Sequence, residues 1–379
     1  MTTELVFKNA RIILEDEVLH GSLVIRDSEI ADFSSGSTRT GEDCEGDTII
    51  PGLVELHTDH LESQYVPRPK VVWNAHAAVQ SHDAQIAASG ITTVLDALRV
   101  GADEDQSLSG DDMRKMADVI EQGTIAGHLR ADHLLHLRCE VSAPDCLENF
   151  ALFDEDERVR LVSLMDHAPG QRQFVSLDAY KTYYMGKKGM SEAEFEVFCK
   201  KRVEESQENS TGNRAAVSKA CREHNIRLAS HDDATLDHVD EALRDGITVA
   251  EFPTTEIAAK ASHENGLAVL MGAPNLIRGG SHSGNVSAKA LAEAGHLDIL
   301  SSDYIPFSLI TAAFNLSDAV DHISLPDAIN TVTRNPAQAV GLNDRGRIAQ
   351  GLRADLVRVA TDHEVPVVRS VWREGKRVV

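Results

Sequence analysis

The segment at residues 49–63, IIPGLVELHTDHLES, joins an apolar run to polar side chains that could bind a metal ion. His57 and Asp59 are two residues apart, so on a strand both side chains would point to the same side. An imidazole and a carboxylate that converge in this way are typical ligands of Zn²⁺ and similar ions. A polar strand end that faces solvent would give the same pattern, so the pair alone leaves both interpretations open.

Polar side chains also end most of the other apolar runs in the middle of the chain. The residues at or near the run ends are His57, Asp59, Asp96, Glu140, His167, His231, Asn275 and Asp303. Taken singly, they have simpler explanations: Glu140 could pair with Arg138, a lone histidine is commonly structural, and Asp303 could cap a helix. Their joint placement favours a site for one or two divalent metal ions.

Eight such runs, from GLVELHTD to LDILSSDY, predict the element that would hold these side chains. Buried parallel strands are near-continuous in apolar character, and in a (β/α)₈ barrel the functional side chains lie at the carboxyl ends of the strands. Ser191 and Glu194 open a predicted helix with a capping-box pattern. We therefore expect an α/β fold with a TIM-type (β/α)₈ barrel over residues 51–344.

The two ends of the chain differ from the middle. LVFKNARIIL and GSLVIRDSEIADF, and later LRADLVRVA and PVVRSVWREGKRVV, are short, rich in β-branched residues and broken by turn residues. We expect residues 1–50 and 345–379 to form one small β-domain together. A chain of 379 residues suits a barrel of roughly 250 residues with a smaller partner.

The charge of the chain argues against nucleic acid as a partner. Lys and Arg number 37 and Asp and Glu 60, a net charge of −23, whereas nucleic-acid binding relies on a basic surface. Adaptation to salt would explain the acidity equally well. A strongly anionic substrate would need locally clustered cations or bound metal.

The sequence also argues against a membrane protein. No apolar run reaches the length of a membrane helix, and acidic residues interrupt the N-terminal segment where a signal peptide would be apolar. The five cysteines form no C-x-x-C pair, which predicts reduced thiols and a cytoplasmic location. We expect a small-molecule substrate and leave a homo-oligomer open.

Longer blocks of the sequence resemble a known group of enzymes. IIPGLVELHTD near the start and NPAQAVGLNDRGRIAQGLRADLV near the end resemble the amidohydrolase superfamily. Within it, ELHTDHLE, PRPKV, SHDA, HLRCE, LVSLMDHAPGQRQF, ASHDDAT, AEFPTT, LMGAPN, RGGSHSGN and DILSSDY, in this order, resemble the PhnM family. These are the α-D-ribose 1-methylphosphonate 5-triphosphate diphosphatases of the carbon–phosphorus lyase pathway, and the resemblance covers essentially the whole chain.

The resemblance implies a metal-dependent barrel with a small β-sandwich domain built from both termini. It implies hydrolysis of the ribosyl triphosphate to the 5-phosphate and diphosphate in phosphonate catabolism. His57-Thr58-Asp59 replaces the His-x-His motif of the broad superfamily. The run AEFPTT has no terminal histidine, and His167 would take the ligand role of that missing histidine. The expected ligands are His57, Asp59, Glu140, His167, His231 and Asp303.

The same resemblance suggests roles for two of these ligands. Glu140 is the candidate to bridge two ions, and Asp303 would take the proton from the attacking water. We expect one or two divalent ions, with zinc favoured and manganese or magnesium as alternatives.

The substrate phosphates would need further donors. The glycines of RGGSHSGN would let backbone N–H groups approach phosphate oxygens, with Arg278 and His282 in the same loop. The other expected substrate-binding residues are Arg68, Lys70, His82, Arg172 and Asn275. Ordinary surface loops are the alternative explanation.

Two other functions stay open. The first is hydrolysis of a C–N bond in a cyclic amide or N-acetyl substrate, which the same barrel would serve. The second is a non-catalytic scaffold, which would have no need of a full set of metal ligands.

Overall fold

A computed structural model describes residues 4–101, 108–170, 172, 191–281 and 284–379 of the chain. The first of its two sheets is built from both ends of the chain. Its strands are β1 (Glu4–Ile13), β2 (Val18–Arg26), β3 (Glu29–Ser35), β4 (Glu42–Asp43) and β5 (Thr48–Pro51), joined by three late strands, β14 (Leu356–Ala360), β15 (Val367–Arg373) and β16 (Lys376–Arg377). The link between the two sets is the antiparallel pairing of β5 with β14.

The second sheet consists of eight parallel strands in chain order. They are β6 (Leu53–Thr58), β7 (Ile91–Val100), β8 (Asp132–Glu140), β9 (Val159–Met165), β10 (Arg227–His231), β11 (Val249–Glu251), β12 (Ala268–Gly272) and β13 (Ile299–Ser301). The first and last strands meet, because Thr58 forms a parallel bridge with Asp303. The predicted fold class, a (β/α)₈ barrel with a separate β-domain, is confirmed; the exact domain boundaries stay a prediction.

Twelve helices lie in the described part of the chain. They are α1 (His60–Tyr65), α2 (Ala75–Ala88), α3 (Gly110–Ile125), α4 (Cys146–Ala151), α5 (Glu192–Glu223), α6 (Leu236–Asp245), α7 (Glu256–Glu264), α8 (Ala273–Arg278), α9 (Ala288–Glu293), α10 (Ser308–Ala319), α11 (Leu325–Asn330) and α12 (Arg334–Ala339). The predicted capping box starts α5, where Ser191 Oγ accepts from the Glu194 N–H at 3.4 Å and the Glu194 carboxylate accepts from the Ser191 N–H at 2.9 Å.

The apolar residues of the barrel face two ways. Val54, Leu95, Leu161, Leu270 and Ile299 belong to one buried cluster. Because they come from strands all around the ring, this cluster fills the barrel interior. The residues that alternate with them pack against the helices outside, as Leu98 and Leu164 do. No helix among the described residues combines the length and the apolar character needed to cross a bilayer.

Candidate metal centre

The first candidate metal group lies where the barrel closes. His57 is the fifth residue of β6, Asp59 follows the strand, and Asp303 lies two residues after β13. The Asp59 N–H donates to the Asp303 carbonyl at 2.9 Å and the Asp303 N–H donates to the His57 carbonyl at 3.1 Å. These bonds bring one ligand atom of each of the three side chains within 4.8 Å of the others.

The second candidate group consists of His167, His231 and Asp232, which follow or end β9 and β10. Asp232 Oδ2 lies 3.8 Å from His167 Nε2 and 3.5 Å from His231 Nε2. This oxygen is buried and has no hydrogen-bond partner in the described structure. Two imidazole nitrogens beside an unsatisfied carboxylate oxygen are what a cation site needs.

Glu251 joins the two groups into one centre. The last residue of β11, it accepts from His57 Nδ1 at 3.1 Å and from His231 Nδ1 at 3.2 Å. The two imidazole rings stack with their centroids 5.7 Å apart. Since both Nδ1 atoms face Glu251, both Nε2 atoms are left for the centre, a common use of a carboxylate behind metal-binding histidines.

Glu140 lies at the edge of this centre and is already engaged. Its carboxylate accepts from His167 Nδ1 at 2.7 Å, from the Ser142 hydroxyl and from Arg202 Nη2 at 3.5 Å. Burial raises the pKa of Glu140, but His167 and Arg202 outweigh it and lower the pKa to about 2. The simpler sequence interpretation, a pair with Arg138, is wrong, because Arg138 Nη1 donates to Asp59 Oδ1 at 2.6 Å.

The carboxylates of the centre raise the affinity of His167 for a proton. Burial lowers the pKa of His167, but Glu140 and Asp232 outweigh it and raise the pKa to about 10. Burial also raises the pKa of Asp303, against the opposing effect of His57. The carboxylates around His167 therefore favour its protonated form, and a metal ion bound at this imidazole would have to displace that proton. The Asp303 carboxyl binds a proton more readily than a free aspartate.

Three strand ends at the centre have left-handed backbones at residues other than glycine. Asp232 has φ 59°, Phe252 has φ 50° and Asp303 has φ 57°. Backbone strain of this kind persists where the surrounding structure holds it and is concentrated at functional sites. At Asp232 the turn places the carboxylate beside the ring of the preceding His231.

The predicted substrate residues lie in several environments. Arg68 and Lys70 are exposed in the loop after α1, and Arg278 is exposed at the end of α8, just before Gly279 at φ 77° and Gly280. His282 lies outside the described residues. These exposed cations belong to loops that follow barrel strands, and they stay predictions.

Three other predicted substrate residues are engaged by the protein. Arg172 is buried and pairs with Asp233 and Glu241. Asn275 donates to the Val286 carbonyl at 3.2 Å and accepts from the Ala288 N–H at 3.0 Å, so it fixes its own loop.

His82 is fully buried on α2, outside the barrel strands. Its Nε2 lies 2.7 Å from Asp96 Oδ1 and its Nδ1 lies 2.9 Å from His60 Nδ1. Asp96 also accepts from His133 Nδ1 at 2.8 Å. Asp96, which the sequence placed among the candidate ligands, therefore faces the helix layer rather than the centre.

The comparisons with known proteins identify the family to which the chain belongs. The amidohydrolase family model matches residues 74–379. The chain is 48% identical over 377 residues to the α-D-ribose 1-methylphosphonate 5-triphosphate diphosphatase of Escherichia coli K12, covering 99% of this chain and 100% of that protein. It is 27% identical over 428 residues to the imidazolonepropionase of Streptomyces griseus, covering 100% of both chains.

Solved structures show the same fold. The N-acetylglucosamine-6-phosphate deacetylase of Thermotoga maritima aligns with a TM-score of 0.64 over 99% of each chain, at 14% identity. An identity this low speaks for the architecture alone.

Proposed function

The chain belongs to the amidohydrolase family, and we propose that it hydrolyses α-D-ribose 1-methylphosphonate 5-triphosphate to the 5-phosphate and diphosphate. The observation that carries this proposal is the 48% identity, which extends over 99% of the chain, to a diphosphatase of that substrate. The reaction breaks a phosphoric anhydride bond with water. The side chains of the centre described above would supply the ligands and the base for such a reaction.

The side chains fit divalent metal ions. Asp232 Oδ2 is buried with no donor among the described residues, and leaving a buried polar atom unsatisfied costs about 1–3 kcal/mol. A cation held by His167, His231 and Asp232 would remove that cost, and His57, Asp59 and Asp303 offer a second group. We propose zinc as the ion, with manganese or magnesium as alternatives, and keep Glu140 as a predicted ligand.

The chain's own residues divide the remaining tasks. A divalent ion, when bound, lowers the pKa of water toward neutrality and offsets the charge of phosphate oxygens. Asp303 accepts the proton of the attacking water, which its raised pKa favours. Glu251 fixes the rings of His57 and His231, so that neither has to reorient during the reaction.

The exposed cations of the loops would bind the outer parts of the substrate. We propose Arg278, with His282, Arg68 and Lys70, for this role, because arginine and lysine are the usual partners of phosphate and phosphonate oxygens. Arg172, His82 and Asn275 would act indirectly, through the contacts they make within the protein. A cytoplasmic location and homo-oligomeric assembly stay predictions.

The experiment that tests the function is ³¹P NMR of the ribosyl triphosphate incubated with the metal-loaded protein in ¹⁸O-labelled water. We expect diphosphate and the 5-phosphate in equal amounts, with the label in one of them. Release of ammonia or acid from cyclic amides or N-acetyl compounds, with an intact triphosphate, would instead support C–N hydrolysis and contradict the proposal.

A further inference from the structure

Two arginines lie side by side next to the metal centre. Arg99 near the end of β7 and Arg138 near the end of β8 are register partners in the parallel sheet. Arg99 shares its strand face with Leu95, which belongs to the interior core, and Arg138 shares its face with His136, whose ring contacts His57. Both guanidinium groups therefore extend from the barrel interior at the carboxyl ends of the strands.

Two acidic side chains shortly after β6, Asp59 and Glu62 of α1, hold this pair. Arg138 Nη1 donates to Asp59 Oδ1 at 2.6 Å, and Arg99 Nη2 lies 3.1 Å from Glu62 Oε2. The Arg138 side chain is 11% exposed and that of Arg99 25% exposed. Two cations brought together on neighbouring strands repel each other, so an arrangement of this kind needs anions beside it.

The arginine pair keeps unused hydrogen-bonding capacity. The Nε atoms of Arg99 and Arg138 and one carboxylate oxygen of Glu62 are buried and have no partner in the described structure. Burial raises the pKa of Glu62 to about 7 against the effect of Arg99, so near neutral pH this carboxyl balances the pair only in part. An incoming anion with several oxygens would contact the partly exposed ends of the two guanidinium groups and compete with the carboxylates that now hold them.

The position of the pair matches an extended phosphate chain. Arg138 contacts the predicted ligand Asp59, so an anion bound at the metal centre would extend outward past Arg138 first and Arg99 next. Beyond Arg99 lies a cleft lined by Asp111, Asp145 and Glu148, and these carboxylates would repel a longer anion. Among the described residues, the run of cations thus consists of Arg138 and Arg99 and ends at an acidic boundary.

We propose that Arg99 and Arg138 form the subsite for the diphosphate part of the substrate, the two phosphoryl groups that leave together. This inference rests on the proposed function for the identity of the anion. Arginine suits the role because its planar group can bind phosphate oxygens in pairs. The exposed Arg278, which follows β12 on another part of the ring, is then left for the phosphonate end.

The test is calorimetric titration of the metal-loaded protein with inorganic diphosphate. Removing one charged hydrogen-bonding partner weakens binding about 10- to 100-fold, so we expect this loss for Arg99→Ala and a smaller loss for Arg99→Lys. The matched control is Arg160→Ala, an exposed arginine at the amino end of β9, which should bind diphosphate like the unchanged protein.

The Glu62→Gln variant distinguishes two roles of Arg99, a ligand-binding role and a purely structural ion pair. If Glu62 competes with the anion for Arg99, this variant should bind diphosphate several-fold more tightly even where its Tm falls. An Arg99→Ala protein with a lower Tm but unchanged diphosphate affinity would overturn the proposal. Binding of diphosphate needs no turnover, so this failure is distinguishable from an absence of triphosphate hydrolysis in the NMR experiment.

Discussion

Asp303 follows the last barrel strand with a left-handed backbone, and burial raises the pKa of its carboxyl. Its backbone is bonded to His57 and Asp59, so the side chain is positioned by the seam of the barrel. General-base catalysis typically contributes 10²- to 10⁴-fold to a rate. A neutral side chain of the same shape would keep the geometry and lose the proton acceptor.

We therefore expect Asp303→Asn to lower kcat by about 10²- to 10⁴-fold while diphosphate binding stays within a few-fold of the unchanged protein. Initial rates and calorimetry on the same metal-loaded sample would check this, with metal content measured in parallel. Asp321→Asn, at an exposed position, is the control. Full activity of the Asp303 variant would refute the assigned role.

Glu251 offers a second prediction, because its carboxylate orients His57 and His231 without belonging to either predicted ligand group of the centre. Loss of such a partner behind metal ligands typically costs 10- to 100-fold in metal affinity. We expect a loss of this size for Glu251→Gln in a competition assay with a zinc-binding dye. Glu256→Gln, exposed at the start of α7, should leave zinc affinity unchanged; equal affinities in both variants would contradict the orienting role.

The sequence could indicate some members of the centre and not others. His57 and Asp59 were predictable from their spacing, because alternate residues of a strand share a face. Asp232 was missed, since on an extended strand it would point away from His231, and only its positive φ brings the two together. Glu251 is the charged residue of its apolar run, but the sequence does not indicate that it lies behind His57 and His231.

The helix α2 is attached to the barrel by buried polar contacts as well as apolar ones. Asp96 on β7 accepts from His82 of α2 and from His133 of β8, and Asp83 of α2 lies 3.3 Å from His133 Nε2. Burial lowers the pKa of His133, but Asp96 and Asp83 outweigh it and raise the pKa to about 9. Buried charges of this kind stabilise the folded protein only while every partner is present.

Asp96→Asn should lower the free energy of unfolding by about 3–5 kcal/mol near pH 6.5. The His133 pKa is raised on folding, so its contribution is complete below the unfolded value near 6.5 and is lost as pH rises through about 9. The stability gap between the unchanged protein and the variant should therefore shrink from pH 6.5 to 9. Urea unfolding at both values measures it; a gap that does not depend on pH would count against the charged pair.

The strands were easier to predict than the direction of their side chains. The eight apolar runs and the terminal strands correspond to the observed sheets, because long buried runs bounded by turn residues carry a strong signal. Asp96 is a candidate ligand on the sequence because it lies at the end of an apolar run, and in the structure β7 is buried on both faces. Because both faces of this strand carry apolar residues, its sequence does not show which face points into the barrel interior.

The chain as a whole has a net charge of −23, and its candidate metal centre contains several carboxylates. An ion that binds only the folded state stabilises it by an amount that grows with the logarithm of its concentration. Removal of metal also leaves Asp232 Oδ2 buried with no hydrogen-bond partner among the described residues. Metal is therefore expected to matter for the stability of the entire fold and not only for turnover.

Chelation should lower the Tm by several degrees, and added zinc should restore it in a concentration-dependent way. Scanning calorimetry of the chelated and the reconstituted protein measures the shift, and a His231→Ala, Asp232→Ala double variant provides the control with a reduced response. An identical Tm with and without metal would argue against ion binding at the centre.

The seam between β6 and β13 has a consequence for biosynthesis. His57 and Asp59 leave the ribosome early, but the strand that completes their surroundings ends only at Ser301, and Asp303 follows it. A nascent polypeptide that stops short of this point has neither the closing backbone bonds nor the general base. Hydrolytic capacity thus appears late in translation, when most of the chain has already been made.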